Sequence, residues 1–183
     1  MDESPWKTLG SEVVYENPWI RVRHDRVITP GGTAGIYGVV EASAAIGIVA
    51  LTDDLRVYLV GQYRYPLGVY SWEIPEGGGR AGETVEEGAR RELREETGLT
   101  AARWTPLGTC ATSNCFTDEV AHFFLAEGLT EGEATPDITE DLAVWVVPFV
   151  EAYGMVRRGD IQDAMSIVAI YRVHDLVRER GVR

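Results

Sequence analysis

The stretch "IPEGGGRAGETVEEGARRELREETGLT", residues 74–100, decides the fold because it joins a glycine-rich turn to an acidic amphipathic helix. Thr84 is a typical helix N-cap, and Glu87, three residues later, completes a capping box. Gly98 stands where a glycine commonly ends a helix in the left-handed conformation. The pattern therefore predicts a loop, a helix that starts at Thr84 and ends at Thr97, and a second loop.

The glutamates of this helix lie where like charges repel each other. At about 100° per residue, a narrow apolar stripe runs along one side, made of Val85, Ala89 and Leu93. Glu92 and Glu96 border this stripe, and Glu95 lies just beyond it. Gly88 falls on the same side. Because glycine costs about 1 kcal/mol in a helix interior, something is expected to approach the backbone closely there.

Two explanations of these charges remain open at this point. A solvated surface helix would pair them at i,i+4 spacing, as Glu86–Arg90, Glu87–Arg91 and Arg91–Glu95. Such pairs are common, but they do not explain why Glu92 and Glu96 face each other beside the apolar stripe. A divalent cation would reverse the sign of that interaction, and Mg²⁺ prefers oxygen ligands.

The composition is that of one globular domain with a small appendage. The chain has 183 residues, 45% of them hydrophobic, which is enough for one sizeable core. Its formal net charge of −12 argues against a general nucleic-acid or anionic-membrane surface, because phosphates attract Lys and Arg patches. Cys110 and Cys115 are expected to be reduced thiols on opposite faces of one strand. No signal peptide or long apolar run is visible, so a cytoplasmic protein is expected.

Strands are predicted on both sides of the acidic helix. Five precede it, "EVVYE", "WIRVRHDRVI", "GIYGVVEA", "AIGIVAL" and "LRVYLVGQYRY", and three follow it, "WTPLGTCATS", "EVAHFFLAE" and "LAVWVVPF". Residues 127–141 are predicted to be an acidic mobile loop. The tail is predicted to be an amphipathic helix with its apolar residues at 161, 164, 165, 168, 171 and 176. This arrangement indicates a mixed α/β layer structure.

The spacing of certain residues narrows the function. Gly77 is followed after five residues by Glu83, and after seven more by "RELREETGL", residues 91–99. This pattern is similar to the complete Nudix box, and the strand order extends the resemblance over residues 44–150. Nudix hydrolases cleave nucleoside diphosphates linked to another moiety. The resemblance implies a Nudix-type α/β/α sandwich with a mixed sheet over residues 44–183, closed by a C-terminal helix. It also implies a small N-terminal antiparallel strand subdomain over residues 1–43.

The resemblance also implies a metal site. Two or three Mg²⁺ or Mn²⁺ ions are expected, which would neutralise a pyrophosphate and lower the pKa of an attacking water. Their expected ligands are Glu92, Glu96, Glu95, Glu83 and the backbone carbonyl of Glu76. Glu92 and Glu95 are also expected to be catalytic, and Arg91 is expected to orient a catalytic glutamate through its guanidinium.

A further carboxylate from a mobile loop often serves as base or extra ligand in related enzymes. Glu140 is favoured here, because "TEDLAVWVVP" is similar to the family's acidic segment before its next strand. The alternatives in the same loop are Asp137, Asp141 and Glu133. All of these side chains also fit solvated loop charges, since loops are polar in general.

Within the family, the stretch "VGQYRYPLGVYSWEIPEGG" is similar to the ADP-ribose pyrophosphatase group. That likeness implies Arg64 near the substrate phosphates and Trp19 and Tyr37 as stacking partners for adenine. Phe116 is expected near the terminal ribose. It also implies a homodimer with exchanged N-terminal strands. Asn114 stands near the position of the group's usual proline, so the Ser-Pro-Gly turn of the group is missing.

The leading hypothesis is therefore a metal-dependent pyrophosphatase for ADP-ribose, giving AMP and ribose 5-phosphate. Other NDP-sugars, dinucleoside polyphosphates and dinucleotide cofactors remain alternative substrates. A nucleoside triphosphate hydrolase and a catalytically silent nucleotide sensor are alternatives on the same fold. A purely structural interaction protein would have no reason to keep the clustered glutamates.

Overall fold

The computed structural model describes residues 4–135 and 141–181, which belong to two compact units. The first unit comprises Met1–Ser43 and Ala111–Val120. The second unit comprises Ala44–Cys110 and Ala121–Arg183. The glycine-rich turn and the acidic helix belong entirely to the second unit.

The first unit contains an antiparallel meander of three strands. β1 (Lys7–Glu16), β2 (Ile20–Ile28) and β3 (Ala34–Ala42) pair in sequence order. Gly32, with a φ of 80°, supplies the left-handed residue of the turn between β2 and β3. The other segment of this unit pairs with β3, where the Val40 N–H donates to the Phe116 carbonyl at 2.7 Å.

The second unit is built on a mixed four-stranded sheet. Its strands are β4 (Ala45–Ala50), β7 (Glu76–Gly78), β8 (Thr100–Ala111) and β9 (Val120–Thr130), in the order β7-β4-β9-β8. β4 runs parallel to β9 and antiparallel to β7. Every residue of β4 is buried, as its uninterrupted small and apolar sequence predicts.

A second sheet in this unit is entirely antiparallel. It contains β5 (Arg56–Arg64), β6 (Val69–Glu73) and β10 (Ala143–Pro148), in the order β10-β5-β6. Val57 and Leu59 of β5 are fully buried. The hairpin between β5 and β6 brings Arg64 opposite Val69, close to the end of the sheet.

Helices pack on both faces of the mixed sheet. They are α1 (Val85–Thr97), α2 (Phe149–Arg158) and α3 (Ala164–Glu179). Ile46 and Ile48 of β4 share a buried cluster with Leu93 of α1. Ala45 and Val49 point the other way, into a larger cluster with α2, α3 and the second sheet. Helices on both faces of a mixed sheet confirm the predicted α/β/α fold class.

The buried face of α3 differs from the predicted one. The helix starts after its N-cap Asp163, whose carboxylate accepts a bond from the Ser166 N–H at 2.6 Å. Its buried apolar residues are Ala169, Ile170, Val173 and Val177, not the stripe through 164, 168 and 171. The apolar residues nearly encircle this helix. Its orientation is therefore set by tertiary packing rather than by periodicity.

Cys110 ends the second unit's part of β8, and Cys115 lies beyond the strand, in the first unit. The expectation that both lie on one strand is therefore wrong. The turn that follows β8 interrupts the strand before Cys115, whose side chain is exposed. Both thiols are free, as expected from the sequence.

Candidate active site

The glycine-rich turn and α1 have the local structure that the sequence predicts. The Thr84 hydroxyl accepts from the Glu87 N–H at 3.2 Å, and the Glu87 carboxylate accepts from the Thr84 N–H at 2.7 Å. At the other end, Gly98 has a φ of 73° and its N–H donates to the Arg94 carbonyl. A capping box and a glycine C-cap therefore fix where the helix begins and ends.

One face of α1 is buried although it carries two carboxylates. Glu92 is 9% exposed and Glu96 is 2% exposed, beside the apolar residues Ala89 and Leu93. Glu96 Oε2 accepts a hydrogen bond from the Glu76 N–H at 3.0 Å, which ties α1 to the start of β7. Burying two negative charges on one helix face is costly unless cations or hydrogen bonds compensate them.

Two glycines make room for this face. A Cβ on Gly77 would lie 2.3–2.5 Å from the carboxylate atoms of Glu92, so any side chain there would displace that group. A Cβ on Gly88 would lie 2.5 Å from Ile46 Cδ1 and 3.0 Å from Glu83 Oε1. The close approach expected at Gly88 is therefore the packing of α1 on β4 and on the glutamate of the preceding loop.

Arg91 holds three of the glutamates. Its Nε and Nη2 atoms donate to Glu83 at 3.1 and 2.7 Å, and Nη2 also donates to the Gly78 carbonyl at 2.9 Å. Its Nη1 atom donates to Glu92 Oε1 at 2.6 Å and to Glu95 Oε2 at 3.0 Å. All five N–H groups of the guanidinium therefore have partners. Arg91 is a fixed support for the glutamates, with no donor left for a ligand.

The other ion pairs of the helix follow the predicted i,i+4 pattern only in part. Glu86 pairs with Arg90 at 2.7 Å, as i,i+4 spacing predicts. Glu87 does not pair with Arg91, because its carboxylate serves the capping box and Arg91 turns toward Glu83. Glu95 Oε2 also accepts a bond from Arg80 Nη2 at 3.1 Å.

A second buried cluster adjoins the start of β7. Arg64 donates through Nε to both oxygens of Glu73 at 3.0 and 2.9 Å and through Nη2 to Glu76 Oε1 at 2.7 Å. Glu76 Oε2 is buried and has no hydrogen-bond partner among the residues that the structure describes. Arg64, Glu73, Glu76 and Asp163 line a cavity of about 290 Å³.

The surroundings shift the pKa values of these carboxyl groups in opposite directions. Burial raises the pKa of Glu92, against the opposing effect of Arg91. Burial also raises the pKa of Glu76 well above its ordinary value, and the negative charges of Asp163 and Glu73 add to this effect. The hydrogen bonds from Arg91 instead lower the pKa of Glu83 to about 2. The site thus holds more negative charge than its arginines compensate.

Comparison with known families identifies this arrangement. A sequence model of the NUDIX domain matches residues 42–166, which is most of the chain. The chain belongs to the Nudix family. A second sequence model, the nucleoside diphosphate sugar hydrolase N-terminal domain, matches residues 6–40. The predicted resemblance to Nudix hydrolases is therefore confirmed, and the chain is a Nudix hydrolase.

Individual relatives of this Nudix chain agree with that assignment. It is 37% identical to an ADP-ribose pyrophosphatase of Mycobacterium tuberculosis over 95% of this chain and 86% of that protein. It is 35% identical to an ADP-ribose pyrophosphatase of Bacillus subtilis over 90% of each chain. The crystal structure of an ADP compounds hydrolase superposes with a TM-score of 0.87, covering 100% of both chains at 22% identity. Among the described residues, no helix is long and apolar enough to cross a membrane.

Nudix hydrolases generally need divalent metal ions, and the carboxylates of this chain are donors of the right chemical class for one. Carboxylate oxygens are the ligands that Mg²⁺ and Mn²⁺ prefer. The buried Glu92 carboxylate fills the space left by Gly77, and no described residue donates a hydrogen bond to Glu76 Oε2. Within residues 4–135 and 141–181, no three acidic, His or Cys side chains converge tightly enough to hold an ion. Arg91 instead holds Glu83, Glu92 and Glu95 in ion pairs.

The loop after β9 contacts the end of the Nudix helix. The Thr135 N–H donates to the Glu95 carbonyl at 2.9 Å. A Cβ on Gly98 would lie 2.4 Å from the Gly132 carbonyl oxygen. Residues 132–135 are therefore packed against the last turn of α1. Glu140, the expected loop carboxylate, lies outside the described residues, as does its alternative Asp137.

The expected substrate-binding residues fall in both units. Arg64 lies in the second unit, in the cluster with Glu73 and Glu76. Trp19, which is 75% exposed, Tyr37 and Phe116 all lie in the first unit. The Tyr37 hydroxyl donates to the Cys115 carbonyl at 2.7 Å, and its ring packs edge-on against Trp6. Tyr37 thus contacts the residue that precedes Phe116 in the chain.

Three residues of the site were not predicted from the sequence. Glu73 anchors Arg64, Arg80 contacts Glu95, and Asp163 caps α3 at the cavity that Glu76 lines. Glu73 and Asp163 come near the box only through contacts distant in sequence, so no local pattern marks them. Arg80 had a local signal, since it is the one cation in the turn "GGGRAG" beside an acidic helix.

Proposed function

We propose that this Nudix hydrolase cleaves the pyrophosphate linkage of ADP-ribose, giving AMP and ribose 5-phosphate. The observation that carries the proposal is the buried face of α1, on which Glu92 and Glu96 are held beside Gly77. A helix that buries excess carboxylates suits the binding of cations that accompany a phosphorylated substrate. The two relatives named as ADP-ribose pyrophosphatases support this choice of substrate, because each is similar over most of the chain.

Each box residue has a distinct task in this proposal. Glu92 and Glu96 hold Mg²⁺ or Mn²⁺, two or three ions per site, with help from Glu95, Glu83 and the carbonyl of Glu76. The bound ions would neutralise the pyrophosphate and lower the pKa of the attacking water. Arg91 keeps Glu83, Glu92 and Glu95 in position, for which its five occupied donors suit it.

The reaction consumes one water. Its oxygen forms a bond to one phosphorus of the pyrophosphate, and the bond from that phosphorus to the bridging oxygen breaks. The bridging oxygen leaves with the other phosphate, so both products are monophosphates. Glu95, which is partly exposed and held by Arg91, accepts the proton of the water, with Glu140 the second candidate for this role.

The rest of the substrate is assigned to residues outside the box. Arg64 is proposed to contact the phosphates through its Nη1 atom, since Nε and Nη2 donate to Glu73 and Glu76. Trp19 offers an exposed ring for stacking adenine, with Tyr37 as its candidate partner. Phe116, which is 51% exposed, is proposed to contact the terminal ribose.

The N-terminal strands, residues 1–43, are proposed to form a homodimer and to contribute to substrate binding. They expose several large apolar side chains, among them Leu9, Val13, Tyr15, Trp19 and Ile36. Large exposed apolar surfaces commonly mark interaction sites. Sedimentation analysis tests this point, and a monomer at micromolar concentration would contradict it. A cytoplasmic location stays a prediction from the sequence.

A second substrate class has its own support. The sequence model that matches the N-terminal residues is named for hydrolases of nucleoside diphosphate sugars, a class wider than ADP-ribose. In addition, Asn114 stands near the position of the proline that is usual in the ADP-ribose group. Turnover of ADP-ribose, other NDP-sugars, dinucleoside polyphosphates, FAD and NADH, with Mg²⁺ and with Mn²⁺, distinguishes the two. AMP and ribose 5-phosphate from ADP-ribose, lost in Glu96→Gln, are expected. Cleavage of another NDP-sugar alone would favour the second class, and no turnover at all would contradict both.

A further inference from the structure

Arg80 combines a fixed backbone with an exposed side chain. Its N–H donates to Glu83 Oε1 at 2.6 Å, and the preceding Gly79 N–H donates to the Ala44 carbonyl at 2.8 Å. The side chain itself is 60% exposed. The main chain is therefore held against the rest of the site, while the guanidinium can change its contacts at small cost.

The two arginines on Glu95 Oε2 are not equivalent. Arg91 reaches that oxygen at 3.0 Å, is 11% exposed, and uses all five of its donors within the protein. Arg80 reaches the same oxygen at 3.1 Å. Within the part of the chain that the structure describes, this is the one hydrogen bond of its guanidinium. Of the two, only Arg80 can release Glu95 without leaving other buried carboxylates unpaired.

Arg80 places a positive charge against the Glu95 carboxylate, a group that is proposed to help hold the cation. A metal ion and a guanidinium on the same carboxylate repel each other, so they compete for it. Once released, the guanidinium has a full set of donors, and guanidinium groups bind phosphate oxygens well. A substrate with a pyrophosphate brings such oxygens to the metal-binding glutamates.

We propose that Arg80 is an exchangeable counter-charge for Glu95. It neutralises this carboxylate in the metal-free protein, and it turns to the pyrophosphate of the substrate when a divalent cation occupies the glutamates. This inference rests on the proposed function, since it assumes a metal-dependent pyrophosphatase. It predicts opposite effects on metal and on substrate, which a residue that merely supports the fold would not produce.

The first test measures binding of Mn²⁺ alone, by electron paramagnetic resonance, to the full-length protein without substrate. Arg80→Gln is expected to bind Mn²⁺ roughly two- to fivefold more tightly than the original chain, the range expected for an exposed ion pair. Arg80→Lys, which keeps the charge, is expected to stay near the original affinity. Arg94→Gln removes an exposed arginine from α1, the helix that carries Glu95, so it controls for the change in net charge.

The second test measures steady-state turnover of ADP-ribose at saturating Mn²⁺. Arg80→Gln is expected to raise KM about three- to tenfold, the typical net contribution of one hydrogen bond, with a smaller effect on kcat. Arg80→Lys should recover most of the loss, and Arg94→Gln should leave KM unchanged. Melting temperatures of the variants show whether any of them is damaged in its fold.

The outcomes separate this inference from the proposed function. Absence of Mn²⁺ binding by the original chain would contradict the proposed function and the inference together. Normal Mn²⁺ binding with no tightening in Arg80→Gln would overturn the inference alone. Weaker Mn²⁺ binding in Arg80→Gln would also overturn it, because Arg80 would then support the metal site rather than compete with it.

Discussion

Each unit of this Nudix hydrolase contains an arginine surrounded by carboxylates, but the two clusters differ in their balance of charge. In the first unit, Arg23 donates to both oxygens of Asp25, at 2.9 and 3.1 Å, and also pairs with Glu41. The Ser11 hydroxyl and Arg23 together lower the pKa of Asp25. In the second unit, Arg91 holds three glutamates, and burial nevertheless raises the pKa of Glu92.

This difference in charge balance indicates that the carboxylates of the Arg23 cluster stabilise the fold and those of the Arg91 cluster do not. In the meander, Arg23 pairs with Glu41 on the neighbouring strand β3, and Asp25 accepts a hydrogen bond from Ser11 on β1, so both negative charges stabilise the pairing of strands. On α1, the carboxylates are buried together and exceed their arginines. The part of this burial that the arginines do not compensate costs folding free energy, which a bound cation would recover. Neutralising a carboxylate should therefore have opposite consequences for stability in the two clusters.

The largest effect is expected for Glu92→Gln. Turnover should fall on the order of 10²–10⁴-fold, because a ligand that positions the cation is lost. The melting temperature should stay equal or rise, because a neutral amide replaces a buried carboxyl group whose pKa is raised. Turnover assays with excess Mg²⁺ and calorimetry check both. A variant that unfolds at lower temperature would show that the Glu92 charge stabilises the fold.

The next largest effect is expected for Arg91→Gln, in which turnover and stability should both fall. The substitution leaves Glu83, Glu92 and Glu95 without their shared partner. The free energy of unfolding should fall by about 3–5 kcal/mol, as when one partner of a buried ion pair is removed. Urea denaturation measures the loss. Added Mg²⁺ should restore part of the stability, since a cation can replace the missing charge.

The helix that carries Glu92 and Arg91 shows which features could be predicted from the sequence and which could not. The capping box, Gly98 and the buried face with Glu92 and Glu96 follow from local spacing, and the structure agrees with each. The Glu87–Arg91 pair did not form, because the Glu87 carboxylate serves the capping box and Arg91 donates to Glu83 instead. Local rules do not rank such competing partners.

Features that depend on distant parts of the chain were not predicted. Arg64 meets Glu73 only after the β5–β6 hairpin closes, and Asp163 reaches the cavity only when α3 docks. The buried face of α3 was missed for the same reason, since several faces of that helix are apolar. Periodicity identifies a helix, but the neighbours that select its buried side come from the whole fold.

A smaller effect is expected for Gly77→Ala. Its Cβ would lie 2.3–2.5 Å from the Glu92 carboxylate, so that carboxylate must move. The free energy of unfolding should fall by about 1–3 kcal/mol, as in other overpacked sites. The Mg²⁺ concentration for half-maximal turnover should rise. Gly78→Ala is the matched control, because a Cβ there meets nothing within 4 Å.

The smallest effect is expected for Asp25→Asn, and it depends on pH. The pKa of Asp25 is lowered in the folded protein, so its contribution to stability is present above the unfolded pKa. That contribution is lost as the pH falls through the folded pKa. At pH 7 the variant should melt a few degrees below the original chain. The difference should disappear in strongly acidic buffer, and a constant difference would mean that the charge of Asp25 is not its cause.

The bond from the Thr135 N–H to the Glu95 carbonyl gives this enzyme an internal reporter. The amide proton of Thr135 exchanges with solvent only when the loop after β9 separates from the end of α1. Its exchange rate, followed by nuclear magnetic resonance, therefore measures how often the loop separates from the helix that carries the glutamates. A change in that rate on adding cation or nucleotide would show that binding alters the opening of the loop, without any label in the site.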